Sequence, residues 1–227
     1  MYRFTAVVLA AAALFFCGAA SASAAKALNP DEAAGPSAIL VLIPQDPDED
    51  LGFDEQINDG FALIDGLSVG LMSSTQGSYE ASQALLDMSQ GTRVSRSTYD
   101  PKDTPQVLLR KDRILGGGLL ANWVRIVERA DTAPQTIVPG LLASTIPGGA
   151  AYVGTGATLQ KTAIPAADEQ GHIAAIDLSD APDAAVTQPV TAEKLTRKHP
   201  FVVFRAKPGR VGLQQLRMLL ELRPDDQ

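Results

Sequence analysis

The acidic run Asp46-Pro47-Asp48-Glu49-Asp50 is a place where oxygen ligands can gather around a divalent cation. It follows the apolar run Ala38–Ile43 (AILVLI), and open α/β sheets bind ligands just beyond the carboxyl ends of their strands. The D-x-D-x-D spacing invites a calcium loop. An EF-hand, however, requires glycine at its sixth position and a bidentate glutamate at its twelfth, where this chain has Leu51 and Ile57. One reading is a cation site held by Asp46 or Asp48. The other is a solvated acidic loop feeding a helix N-terminus, which the helix dipole favours.

A second concentration of chemistry lies at Ser73, Ser74, Thr75 and Ser78, between an expected strand at Leu67–Met72 and an expected helix over Tyr79–Ser89 that ends at Gly91. The free N–H groups and positive dipole end of a helix suit an anion or an activated alkoxide, which makes Ser78 or Thr75 a candidate nucleophile. The alternative is that Ser78 is the N-cap and Glu80 sits favourably in the first turn. No Gly-Lys-Ser/Thr follows, so this is not a Walker loop. Gly154-Thr155-Gly156 opens like a dinucleotide fingerprint, but Leu159 stands where the third glycine belongs and Pro165 soon follows, which discards a nucleotide.

The chain has two histidines, His172 and His199. Each is expected at a cap or on the surface, although a hydrolase using general-base chemistry would have to be built around one of them. The single cysteine, Cys17, lies in the N-terminal segment. A metal site would therefore be almost wholly carboxylate, which suits Mg²⁺, Mn²⁺ or Ca²⁺ better than zinc.

These residues have to be positioned outside the cytoplasm. Met1-Tyr2-Arg3, the apolar run Phe4–Phe16 and the small residues Cys17–Ala25 form the three parts of a secretory signal over residues 1–25. Cleavage is expected after Ala22 or Ala24, with Ala25 as a third exit. Lipidation at Cys17 is disfavoured by Phe16 before it. An uncleaved anchor is the rival, since Phe4–Ala25 carries no charge, but its second half is weakly hydrophobic against a bilayer core of ~30 Å. Cleavage removes one of the 19 basic residues and leaves the 26 acidic ones, a net charge of about −8. That balance argues against nucleic acid and, unless the signal stays uncleaved, against a membrane. It also removes the cysteine, which excludes disulfides and thiolate metal sites.

Residues 26–37 read as a polar leader and 38–227 as one α/β domain. Apolar runs at Ala38–Ile43, Val107–Leu109, Ala150–Val153, Ile173–Leu178 and Phe201–Phe204 are expected strands, the first buried on both faces. A stripe of Phe53, Ile57, Phe61 and Ile64 predicts a helix, and further helices are expected at Val190–Lys198 and Val211–Leu222. A helix after Gly116-Gly117-Gly118 is expected to present Leu120, Trp123, Val124 and Val127 on one face. The alternation predicts a three-layer α/β sandwich with a mostly parallel sheet.

Several segments resemble the N-terminal part of exported actinobacterial proteins similar to the alkaline phosphatase superfamily. They are Ile39–Ile43 with Asp46 after it, Gly70–Ser95 (GLMSSTQGSYEASQALLDMSQGTRVS), Ile146–Gly154, His172–Leu178 and Phe201–Pro224. The resemblance implies an alkaline-phosphatase-like half, metal binding by Asp46 or Asp48, and Ser78 or Thr75 as nucleophile. The family's D-G pair after the first strand is replaced by Gln45-Asp46-Pro47, and its second-half Asp and His ligands have no counterparts here. The resemblance thus implies a degenerate, non-catalytic relative. The alternative is a metal-dependent phosphatase or phosphodiesterase completed by a C-terminal companion segment or partner.

Overall fold

A computed structural model of the chain describes residues 36–44, 80–155 and 161–223. Its strands are β1 (Ala38–Leu42), β2 (Leu108–Lys111), β3 (Gly118–Ala121), β4 (Ala150–Gly154), β5 (His172–Ile173), β6 (Ala175–Leu178) and β7 (Phe201–Arg205). Its α-helices are α1 (Ala81–Gln90), α2 (Trp123–Ala130), the single turn α3 (Leu141–Ser144), α4 (Ala184–Thr196) and α5 (Gly209–Leu222). The expected strand at Leu67–Met72 and the helix around Phe53–Ile64 lie outside the described residues.

β1, β7, β4 and β6 form a parallel sheet in that spatial order, with Ala38 opposite Phe201 and Tyr152 opposite both Val203 and Ile176. Successive side chains on a strand point to opposite faces, so each central strand feeds two cores. Ala151, Val153, Val202 and Phe204 pack with Ala192 of α4 and Leu219 of α5. Ala150, Tyr152 and Val203 pack on the other side with Leu85 and Leu86 of α1, Trp123 and Ile126 of α2, and Ile164 of a 3₁₀ segment, Lys161–Ala166. The described fold is therefore a three-layer α/β sandwich built on a parallel sheet. β4 is buried at every residue, whereas β1, paired with β7 alone among the described residues, is only partly buried. β1 still packs on both faces, Leu40 and Leu42 against one core and Ile39, Val41 and the following Ile43 against the other, though less deeply than β4.

A second, antiparallel sheet, β2-β3-β5, lies beside the first. Here the sequence expectations need correcting. Gly118–Ala121 pairs with β2, so Leu120 belongs to a strand, and α2 begins only after Asn122 turns the chain with φ 68°. The buried face of α2 is Trp123, Ile126, Arg129 and Ala130, while Val124 is 63% exposed. The run Ile173–Leu178 is two strands: β5 closes the antiparallel sheet and β6 edges the parallel one.

α1 stops where expected. Gly91 takes φ 66°, and the N–H groups of Gly91 and Thr92 return to the carbonyls of Met88 and Asp87, a left-handed cap that glycine adopts without a Cβ penalty. Its N-cap is Glu80 rather than Ser78, and no acidic residue lies in its first turn. α4 starts at Ala184 and runs through Pro189, earlier than the expected Val190.

Candidate functional site

Asp46, Asp48, Thr75 and Ser78 all lie outside the described residues. What the fold does position is the carboxyl edge of the parallel sheet from which Asp46 and Asp48 follow. β1 ends at Leu42, which pairs with Arg205, the last residue of β7. The Arg205 guanidinium donates to Thr155 Oγ1 at 2.9 Å, just past the end of β4. The Ala206 and Gly209 N–H groups donate to the carbonyls of Leu42 and Pro44, so the start of α5 is bound to the exit of β1. A cation and a hydroxyl therefore stand at the sheet edge where α/β folds receive ligands.

Gly154 and Thr155, the start of the discarded nucleotide pattern, have a packing role. A Cβ at position 154 would sit 2.7 Å from the Tyr152 hydroxyl oxygen. That hydroxyl, fully buried, shares a hydrogen bond of 2.8 Å with Thr162 Oγ1. Burial pushes the Tyr152 phenol up from its ordinary value, so it remains a neutral partner of Thr162. On the outer side, Gln188 Nε2 donates to the Gly154 and Ser179 carbonyls and ties α4 across the ends of β4 and β6.

The histidines sit at the opposite end, near the amino termini of β4 and β6. A cleft of about 330 Å³ there is lined by Ser144, Gly148, Gly149, Asp168, Gln170 and His172, among others. His172 Nε2 lies 3.0 Å from the Gly116 carbonyl and so acts as its donor, which leaves Nδ1 facing Asp168 Oδ2 at 3.9 Å. Asp112 Oδ2 is 4.0 Å from Nε2. Asp112 is held below the usual carboxylate range by the N–H groups of Ile114 and Leu115. Ser144 Oγ accepts the Glu169 N–H at 2.9 Å, and His199 Nδ1 faces the Gly148 carbonyl at 2.9 Å. Both imidazoles thus hold glycine-turn carbonyls, and the two carboxylates that approach His172 lie beyond hydrogen-bond reach. This geometry does not support a histidine-based hydrolase.

A third polar cluster was not anticipated from sequence. Arg129, 1% exposed, donates through Nε to the Pro101 carbonyl and through Nη2 to the Lys102 carbonyl and Gln83 Oε1. Its guanidinium carbon lies 3.7 Å from the centre of the Tyr99 ring. Gln83 and Gln90 both donate to Asp87 Oδ1, at 2.8 and 2.9 Å. Asp87 Oδ2 and Gln90 Oε1 are buried acceptors without a partner. Burial raises Asp87 to about 6, opposed by the Val94 backbone N–H and the charge of Arg93. A proton on Oδ2 would turn one of the two unmatched acceptors into a donor. The cluster joins α1, the 96–104 loop and α2, and its bonds are structural.

Among the described residues, no group of three or more His, Cys, Asp and Glu converges in a way that could hold a metal ion, and no helix is long and apolar enough to cross a membrane. Asp112 and Asp168 approach different nitrogens of His172 rather than a common point. The described residues therefore do not supply the ligands that a phosphatase metal would need. Comparison with protein-family models, with curated proteins and with solved structures finds no match for the chain.

Proposed function

We propose that the chain is exported and that its α/β domain is a non-catalytic binding or structural relative of alkaline-phosphatase-superfamily proteins. The supporting observation is that both histidines, and the Nε and Nη2 of buried Arg129, are engaged in bonds that hold the fold. His172 and His199 hold the Gly116 and Gly148 carbonyls, and Arg129 is held by two carbonyls and Gln83. The export half of the reading is tested by mass spectrometry of secreted material, which is expected to begin at Ser23, Ala25 or Lys26. Cell-associated chain retaining Met1 would overturn it.

A second reading is a metal-dependent phosphoric ester hydrolase, complete only with a companion segment. It draws support from Arg205 and Thr155 at the sheet edge beside the end of β1. In that case Asp46 or Asp48 would contribute oxygen ligands, and Ser78 or Thr75 the nucleophile. The chain is assayed on aryl phosphate mono- and diesters with Mn²⁺, Mg²⁺ and Ca²⁺. Turnover abolished by Ser78→Ala or Thr75→Ala would overturn the non-catalytic reading. No turnover, with no metal-induced rise in melting temperature, would exclude the hydrolase for this chain.

A further inference from the structure

The antiparallel sheet carries a tip that its core does not use. β2 and β3 are joined by a turn closed by the Asp112 N–H donating to the Gly117 carbonyl at 3.1 Å. At its apex Ile114 is 92% exposed and Leu115 74% exposed. The exposure is built in. Asp112 Oδ1 accepts the N–H groups of both residues, at 2.8 and 3.1 Å, which fixes the backbone so that the two side chains point outward. Gly117 (φ 69°) lies so close to the chain that a Cβ there would be 2.2 Å from the Ile173 carbonyl oxygen, which anchors the base of the turn.

Arg110, Lys111 and Arg113 flank the apex, all exposed and none in an ion pair with a described residue. The turn's own carboxylate, Asp112, is occupied with the two N–H groups. Three cations against one carboxylate leave the tip positive on a chain of net charge −7. Charges beyond about 8–10 Å are screened at ordinary ionic strength, so the tip's own cations govern what it meets at contact.

The geometry points to the β2–β3 tip as an anchor for an anionic lipid surface, with Ile114 and Leu115 entering the acyl boundary and Arg110, Lys111 and Arg113 remaining at headgroup level. Charge complementarity selects the occupant, since three exposed cations flank an aliphatic apex in the chain, the pairing of basic and apolar side chains that an anionic membrane interface takes up. A two-residue projection is also far smaller than the ~800 Å² per partner typical of a specific protein interface. The net acidity that argued against a membrane applies to the chain as a whole, not to this patch.

The test uses the full chain with vesicles of phosphatidylglycerol and phosphatidylcholine, against phosphatidylcholine alone. The apolar leader is common to every variant, so insertion is read at the tip itself, by a polarity-sensitive fluorophore on Leu115→Cys in a Cys17→Ser background. A blue shift on the anionic vesicles only, reversed by high salt, is expected. In co-sedimentation, each cation replaced by glutamine should weaken binding about fivefold. Ile114→Ser with Leu115→Ser should weaken it at least tenfold. No blue shift overturns the proposal, as does a blue shift that appears equally on phosphatidylcholine alone or that replacing the three cations by glutamine leaves unchanged. Self-association lost in Ile114→Ser with Leu115→Ser, without vesicle binding, also overturns it and makes the tip a protein contact.

Discussion

Gln215 of α5 completes the helix that Pro189 interrupts in α4. Pro189 has no N–H to offer the carbonyl of Ala185 four residues earlier, and Gln215 Nε2 donates to that carbonyl at 3.1 Å. The same side chain, 1% exposed, accepts the Lys207 N–H through Oε1 at 2.7 Å. Gln215→Leu strands a carbonyl and an N–H, and is expected to cost about 2–5 kcal/mol in urea unfolding. Adding Pro189→Ala restores an N–H for Ala185 and should recover part of that loss. Recovery of nothing would mean that the Ala185 bond is not what Gln215 contributes.

Arg129→Met removes the donor for Gln83 and for the Pro101 and Lys102 carbonyls. A loss of about 3–5 kcal/mol is expected, by analogy with breaking a buried charged network. Arg129→Lys should restore little, because an ammonium cannot reproduce the planar fork that reaches those acceptors while lying over Tyr99. Chemical denaturation of both variants decides it.

Asp87 holds its proton up to about pH 6 in the folded chain, against 3.8 when exposed. Between those values the folded chain binds more protons than the unfolded one. This group's contribution to stability therefore falls as pH rises from about 4 to 6, by on the order of 1–3 kcal/mol, and stays low above that window. Asp87→Asn should flatten that part of the stability–pH curve relative to the parent. An unchanged slope would show that other carboxylates set it.

Gly154→Ala places a methyl 2.7 Å from the Tyr152 hydroxyl oxygen and 2.9 Å from its Cζ. Overpacking of this kind costs about 1–3 kcal/mol. In the double variant with Tyr152→Phe the penalties should be less than additive, because the two positions share the contact. Thermal unfolding of the four members of the cycle measures the coupling.

The strands β1, β4 and β7 and the helix α5 were legible because contiguous apolar runs and a leucine stripe carry their own periodicity. The start of α4 was not, since proline reads as a boundary until Gln215, 26 residues on, is folded against it. Nor was the role of Gly118–Ala121, whose apolar pattern fits helix and strand alike until β2 pairs with it. His172 could be placed beside a strand, but its partner Gly116 lies 56 residues away, a distance that no local pattern spans. Arg129 reads as the polar side of a helix, and only the 96–104 loop folding over it reveals a buried charge. The roles of Asp46, Asp48, Thr75 and Ser78 rest on sequence and resemblance.

The division of Ile173–Leu178 between two sheets has a mechanical consequence. Ala174 alone separates β5 from β6, and its N–H is bound to the Ala150 carbonyl at the head of β4. Cβ atoms at Gly117 and Gly149 would lie 2.6 Å from its carbonyl oxygen and 2.8 Å from its Cβ, so the backbone closes in from both sides. A joint of one pinned residue has no slack. The β2–β3 turn is therefore coupled through β3 and β5 directly to the edge of the parallel sheet, with no flexible linker between the two sheets.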